Sequence, residues 1–337
     1  MNRKINTGLL AYGMSGKVFH APFVSTHPGF QLSAVTERNK KQAILDYPAV
    51  KSYDSVAELI ADDSIELVII NTPNYTHYDY AKQALLAGKH ILVEKPFTAT
   101  SAQAKELFEL AKNQGKKALV YQNRRYDSGF NSVKRIIASG VLGKLVEVHF
   151  RFDRYRNEIG PKTFKEEPIA ASGLQYDLGP HLLDQAISLF GQPKSFHKVL
   201  SHNRENTKVD DYFAIQLSYP NELNVFLTAS MLVADIQPAF VLNGVQGSFL
   251  KNHADVQEEQ LLKGMKPTET QYGWEYPNNE GKLTVVTADG GRETSLIPSQ
   301  KGDYTGLFEA VYQNIVNNVP YPITESDIIT QLEILES

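Results

Sequence analysis

Apolar residues in the first third of the chain fall in short, nearly continuous runs separated by polar stretches of helical length. Ile5 to Ala11, Phe30 to Val35, Glu66-Leu67-Val68-Ile69-Ile70-Asn71, His90-Ile91-Leu92-Val93-Glu94 and Ala118 to Gln122 read as strands. Between them, about Thr76 to Ala87 reads as a helix stopped by Gly88, and about Ser101 to Asn113 as another ending near Gly115. Strands apolar on both faces and alternating with helices predict an α/β fold: a doubly wound parallel sheet covered on each side.

Beyond about residue 125 the period changes. A helix near Asn131 to Ala138 stops at Gly140, and then Val146, Val148, Phe150 and Phe152 alternate with Glu147, His149, Arg151 and Asp153. Alternation of this kind marks a strand with one face unlike the other. Similar runs recur at Ser195 to Leu200, Tyr212 to Tyr219, Leu223 to Met231, Phe240 to Asn243 and Leu283 to Thr287. The expectation is two domains: residues 1–123 around a parallel sheet, and 124–337 an α+β domain with a large, mostly antiparallel sheet and helices on one face. Its open face is too apolar and aromatic for a solvated surface and is expected to be a subunit interface. The polar segment from about Asn252 to Glu280, with Trp274, reads as a long excursion, and a helix begins near Thr324.

In open α/β sheets ligands gather at the carboxyl ends of the strands. Here those ends carry Tyr12-Gly13-Met14-Ser15-Gly16, Glu37-Arg38, Thr72-Pro73-Asn74, Glu94-Lys95-Pro96 and Asn123-Arg124-Arg125. The first is a dinucleotide fingerprint in which Ala11 replaces the first glycine. Gly13 would let the backbone approach a pyrophosphate, Gly16 would allow close packing, and Ser15 adds a hydroxyl and an amide near a helix start. Glu37 follows Gly16 by 21 residues, against the roughly 20 that separate a fingerprint from a ribose-binding carboxylate. Glu37 favours a free 2′-hydroxyl and Arg38 a 2′-phosphate, so NAD and NADP both stay open, with a slight lean to NAD.

Composition narrows the setting. The chain has 337 residues, 42% hydrophobic, and a net charge of −4 with neither sign segregated, so nucleic acid is not an expected partner. The absence of cysteine excludes disulfides and thiolate chemistry. No run approaches membrane-spanning length, and the expected compartment is the cytoplasm.

Two runs carry the chemistry: Glu94-Lys95-Pro96 at a strand end, and Asp177-Leu178-Gly179-Pro180-His181 at the expected start of a helix, with Asp177 its cap and Pro180 in its first turn. They supply an ammonium for a developing alkoxide, an imidazole to take a proton and a carboxylate to orient it. That set suits oxidation of an alcohol by hydride transfer, which requires a cofactor as acceptor. Lys95, Asp177 and His181 are the catalytic candidates, and Arg124, Arg125, Asp153, Tyr155, Arg156, Tyr176 and His181 the candidate substrate contacts. An inert reading makes Lys95 a surface lysine, Asp177 only a cap and His181 a core histidine. Asp177, His181 and Asp184 could be metal ligands, but the cluster lacks an evident further ligand, so no metal is expected.

Gly13-x-x-Gly16 followed by His20-Ala21-Pro22, Thr72-Pro73-Asn74 with His77, Gly88-Lys89-His90, Glu94-Lys95-Pro96-Phe97, Gln122-Asn123-Arg124-Arg125-Tyr126-Asp127 and Tyr176-Asp177-Leu178-Gly179-x-His181 resemble, in this order, the glucose-fructose oxidoreductase/inositol dehydrogenase (Gfo/Idh/MocA) family, and most the scyllo-inositol dehydrogenase-type branch. The resemblance implies a Rossmann domain, then an antiparallel-sheet domain for substrate and assembly. It also implies NAD(P)-dependent conversion of sugars or polyols (EC 1.1.1 type), and a homodimer or homotetramer built through the sheet. Its cofactor contacts would fall on Tyr12, Gly13, Met14, Ser15, Gly16, Glu37, Arg38, Thr72, Pro73, Asn74, His77, Glu94, Lys95, Asn123 and Arg124. A catalytically silent dinucleotide-binding regulator, or an NAD-assisted glycoside-cleaving enzyme, are the alternatives on the same fold.

Overall fold

The computed structural model describes residues 3–160, 163–252 and 254–337. Its first half alternates strand and helix: β1 (Ile5–Leu9), a π-helical turn (Gly16–His20), α1 (Ala21–Thr26), β2 (Phe30–Thr36), α2 (Ala43–Asp46), β3 (Lys51–Tyr53), α3 (Val56–Ala61), β4 (Leu67–Ile70), α4 (His77–Leu86), β5 (His90–Glu94), α5 (Ser101–Asn113) and β6 (Ala118–Tyr121). All six strands are parallel, in the order β3-β2-β1-β4-β5-β6. The order reverses between β1 and β4, which creates a crevice at their carboxyl ends. Leu9, Val68, Ile69, Leu92 and Val93 are fully buried because helices cover both faces. β3 was not visible in the sequence: Lys51-Ser52-Tyr53 has no apolar run, and as an edge strand it pairs only with β2.

The chain continues through α6 (Ser128–Ser139), β7 (Leu145–Asp153), α7 (Thr163–Glu166), α8 (Gly173–Phe190), β8 (Ser195–Ser201), β9 (Tyr212–Ser218), β10 (Asn224–Ser230), β11 (Phe240–Gly244), β12 (Gly247–Lys251), α9 (Gln257–Leu262), β13 (Gly281–Val286) and β14 (Arg292–Ile297). The eight strands form one sheet, β14-β13-β12-β11-β7-β10-β9-β8, antiparallel except where β7 meets β10. Phe213, Ile215 and Leu217 are buried, while Tyr212, Ala214, Gln216 and Ser218 lie on the other face at intermediate exposure. The excursion after β12 is fastened by a buried pair, Lys251 with Glu275, the lysine also bonding the Asn279 carbonyl and Ser299 Oγ. Part of that expected excursion, His253, lies outside the described residues.

Two helices close the chain, α10 (Thr305–Asn317) and α11 (Glu325–Glu336). They correct the assignment of all of 124–337 to the second domain. The unit holding the parallel sheet comprises the chain up to Asn123, Glu258–Tyr272 and Tyr304–Glu336, and the other unit Arg124–Gln257 and Gly273–Asp303. The return has a packing cause: Phe308 of α10 stacks on Phe23 with ring centres 5.3 Å apart, and Glu336 of α11 accepts from the Ser101 amide (2.9 Å) and hydroxyl (2.6 Å). Among the described residues no helix is long and apolar enough to cross a membrane.

Candidate active site

In the parallel-sheet unit, the glycine turn after β1 is shaped by its neighbours. A Cβ on Gly16 would sit 2.1 Å from the Ala11 carbonyl oxygen and 2.9 Å from Asn71 Nδ2, so only glycine fits. A Cβ on Gly13 would meet nothing within 4 Å, which leaves an open side for a ligand's phosphates. Ala11 has no left-handed backbone, so its replacement of the usual glycine is unstrained. Asn71, at the end of β4, clamps Ala11: its Oδ1 accepts the Ala11 amide at 3.0 Å and its Nδ2 donates to the Ala11 carbonyl at 2.8 Å. In the sequence Asn71 is marked only as a strand end. Tyr12 and Ser15 turn their side chains inward, Tyr12 donating to Asp46 at 2.8 Å and Ser15 to Glu94 Oε1 at 2.7 Å, leaving their main chains for a cofactor. Burial, and then the Asp46 carboxylate, push the Tyr12 phenol well above its ordinary range. Met14 is exposed.

Glu37 is engaged by the start of α2. Its Oε1 accepts the Gln42 amide at 2.9 Å and its Oε2 the Ala43 amide at 3.0 Å, so the carboxylate caps α2 and is 91% buried. Sequence spacing could not reveal this, because a carboxylate at a strand end reaches a following helix as readily as a ligand. Arg38 and Lys40 are exposed and without a side-chain partner among the described residues, while Lys41 is held by Asp54 at 2.6 Å.

At the end of β5, Glu94 Oε1 also receives His20 Nε2 at 2.8 Å. Lys95 follows, half-buried, with a cis peptide to Pro96. His77 was expected at the cofactor, but it is fully buried and both ring nitrogens face main-chain carbonyls, Pro96 at 2.8 Å and Thr72 at 2.9 Å. It ties the Thr72-Pro73-Asn74 turn to the lysine loop. Burial outweighs those two carbonyls and pushes its imidazole below the ordinary value. Asn123 is buried at the end of this unit.

In the antiparallel-sheet unit, α8 begins at Gly173, so Asp177 is its fifth residue and Pro180 its eighth. Both earlier placements are corrected: Asp177 does not cap the helix, and Pro180 lies inside it. The cap comes from Asp210, 37 residues after Gly173, whose carboxylate accepts the Gln175 amide at 2.6 Å and whose carbonyl accepts Leu174 at 2.9 Å. A Cβ on Gly173, where φ is +84°, would lie 2.0 Å from Asp210 Oδ1. Burial raises the Asp210 carboxyl above its ordinary value despite these bonds. Spacing in α8 puts Asp177 and His181 one turn apart on one face. His181 is 5% exposed, and Asp177 Oδ1 pairs with Lys165 Nζ at 2.6 Å.

Other candidates divide. Arg125 makes a two-pronged pair with buried Asp184, at 2.7 and 2.9 Å, which removes both from the substrate and metal roles weighed for them. Asp153 is corrected as a substrate contact: its side chain is fully buried and accepts Arg151 Nε at 2.8 Å. Arg124 bonds Asp127 at 3.3 Å with its guanidinium 4.7 Å from the Phe152 ring centre. Tyr155 is 64% exposed, and Tyr176 is half-buried on α8. Among the described residues no group of His, Cys, Asp and Glu could hold a metal ion.

Comparison with known proteins gives this geometry a context. Residues 5–122 match the oxidoreductase family with an NAD-binding Rossmann fold, Gfo/Idh/MocA, and residues 130–250 match that family's C-terminal domain. The chain is 38% identical to the uncharacterized oxidoreductase YdgJ of Escherichia coli K12, covering all of this chain and 96% of the relative. It is 33% identical to scyllo-inositol 2-dehydrogenase (NADP(+)) IolW of Bacillus subtilis, over 99% of this chain and 94% of that one. A crystal structure of an oxidoreductase from Bacillus cereus is similar with a TM-score of 0.91 at 33% identity, covering 99% of this chain and 95% of that chain.

Proposed function

Because the chain belongs to the Gfo/Idh/MocA family of NAD-binding oxidoreductases, we propose that it transfers a hydride between a nicotinamide dinucleotide and a hydroxyl-bearing carbon of an inositol-like polyol or sugar, with NADP preferred. The observation that carries the reading is the order of strand ends along one sheet. The glycine turn follows β1, Arg38 follows β2 on one side, and Lys95 follows β5 on the other. Strands lie about 4.8 Å apart, so Lys95 is about 10 Å from the phosphate turn on the side where a nicotinamide would extend. Glu37 is engaged by the Gln42 and Ala43 amides at the start of α2, while Arg38 is exposed and available to bind a 2′-phosphate. This reverses the lean to NAD. The name of the Bacillus subtilis relative supports both the polyol class and the phosphorylated cofactor.

When bound, the nicotinamide supplies the hydride acceptor. The protein's own groups do the rest. His181 takes the carbinol proton, a role suited to an imidazole. Lys95 donates to the reacting oxygen as negative charge grows. Asp177, held by Lys165, lies one helical turn before the imidazole on the same face of α8. Arg124, Tyr155 and Tyr176 are donors for the other hydroxyls. Chains of this kind would pair through the open sheet face, where Val241 and Phe226 flank His149, its ring stacked on Phe226 with centres 4.9 Å apart, and Leu250 lies beyond Val241.

A panel of inositols, aldoses and sugar acids, assayed with each cofactor at the reduced-nicotinamide absorbance, tests the reading. Activity on a polyol or sugar with higher kcat/KM for NADP is expected. Lys95→Ala and His181→Ala should each lower turnover at least about a hundredfold. Product formation without net cofactor reduction would favour transient oxidation during glycoside cleavage, and wild-type turnover in either variant overturns the assignment.

A further inference from the structure

His20-Ala21-Pro22 is a motif that hydride transfer leaves without a task. His20 ends the π-helical turn and is fully buried, its ring centre 4.4 Å from that of Tyr121 and 6.2 Å from that of Phe308. Its Nε2 lies 2.8 Å from Glu94 Oε1, and its Nδ1 is buried with no hydrogen-bond partner among the described residues. With no acceptor for Nδ1–H among the described residues, the geometry favours donation from Nε2. The same Glu94 oxygen accepts Ser15 Oγ at 2.7 Å, and Oε2 faces the Lys95 amide at 3.3 Å. A carboxylate enclosed in this way is stable as an anion only while donors surround it. Burial pushes the Glu94 carboxyl up, but His20, Ser15 and Lys95 together hold it below its ordinary value.

We propose that His20 is a positioning residue for dinucleotide binding. By donating Nε2–H to Glu94 it fixes the oxygen that also holds Ser15, and so locks the glycine turn to the strand end bearing Lys95. This rests on the hydride-transfer reading above. A histidine that merely fills space could be replaced by any side chain of similar volume, whereas this role needs a donor at the Nε2 position. Glutamine supplies such a donor, and phenylalanine supplies only the volume.

The test measures NADP and NAD dissociation constants by calorimetry for the wild type, His20→Gln, His20→Phe, Ser15→Ala and the His20→Phe/Ser15→Ala double variant. Imidazole ¹⁵N spectra of the ligand-free wild type and thermal midpoints accompany it. Losing one hydrogen bond to a charged group should weaken binding by His20→Phe roughly tenfold or more, with His20→Gln within about threefold of wild type. The double variant should be weaker than the worse single by less than the product of the two effects, because both bonds end on one oxygen. The spectra should show the Nε2–H tautomer. Wild-type affinity in His20→Phe, equal losses in the Phe and Gln variants, or an Nδ1–H tautomer overturns the proposal. Should His20→Phe fail to fold, His20→Gln, Ser15→Ala and the tautomer decide in its place. A wild type that binds neither dinucleotide is a separate failure: it removes the hydride-transfer reading and this role with it.

Discussion

Gly13 and Gly16 look alike in the sequence and differ in what surrounds them. A methyl group at Gly16 would collide with the Ala11 carbonyl, whereas one at Gly13 would point into open space. Gly16→Ala should therefore lower stability by about 1–3 kcal/mol, while Gly13→Ala should leave the thermal midpoint nearly unchanged and weaken dinucleotide binding, because only the ligand needs that space. Calorimetry of both variants checks the contrast. His90 offers a second residue-scale test. Its Nδ1 accepts the Lys117 amide at 3.0 Å, and burial, then Lys116 and Lys117, lower its pKa from 6.5 to about 4. The unfolded chain takes up a proton there before the folded one does, so stability is lost as pH falls from 6.5 toward about 4. The loss has a ceiling of on the order of 3 kcal/mol. Urea midpoints across that range should fall more steeply for wild type than for His90→Asn, which keeps an acceptor and cannot charge.

α8 carries the proposed base, and its start is set from a distance. Ser172 precedes the helix without a side-chain capping bond, and Asp210 takes the first amides instead. Beside it, Asp211 accepts the Asn203 and Arg204 amides at 2.9 and 2.7 Å, and Arg204 pairs with Glu166 at 2.8 Å. Removing the cap by Asp210→Ala should cost about 1–2 kcal/mol. It should also reduce kcat more than KM, since the helix that orients Asp177 and His181 would fray at its start. Chemical denaturation and steady-state kinetics on the same preparation separate the two effects. A variant that loses stability with unchanged kcat would confine Asp210 to folding. The sequence carried no sign of this cap: a local cap is read from neighbouring residues, and this one closes a loop of more than thirty.

Across the whole molecule, the eight-stranded sheet leaves one broad face uncovered among the described residues. Eight strands about 4.8 Å apart and about 17–20 Å long present an area near the roughly 800 Å² that each partner gives to a stable interface. Val241, Leu250 and Phe226 occupy its middle, and Lys282 and Arg292 belong to the two strands at one edge. Phe226→Asp or Leu250→Asp, each placing a charge in that middle, should convert the proposed assembly to monomer. Light scattering after size exclusion would report it, and a wild type that is already monomeric ends the proposal.

The alternation of apolar runs and helices determined the character of both sheets in advance, though not the strands β3, β12 and β14, because burial on two faces or on one imposes different periods on a strand. The order of the motifs likewise fixed the family. Tertiary structure decided what local pattern cannot encode. It set Glu37 on a helix start, enclosed His77 and Asp153, and paired Arg125 with Asp184. It also brought α10 and α11 back to the first unit and recruited Asn71, His20 and Asp210. In each case a polar side chain had several partners within reach along the chain, and only the folded packing, which removes water and leaves a single donor or acceptor nearby, selected one.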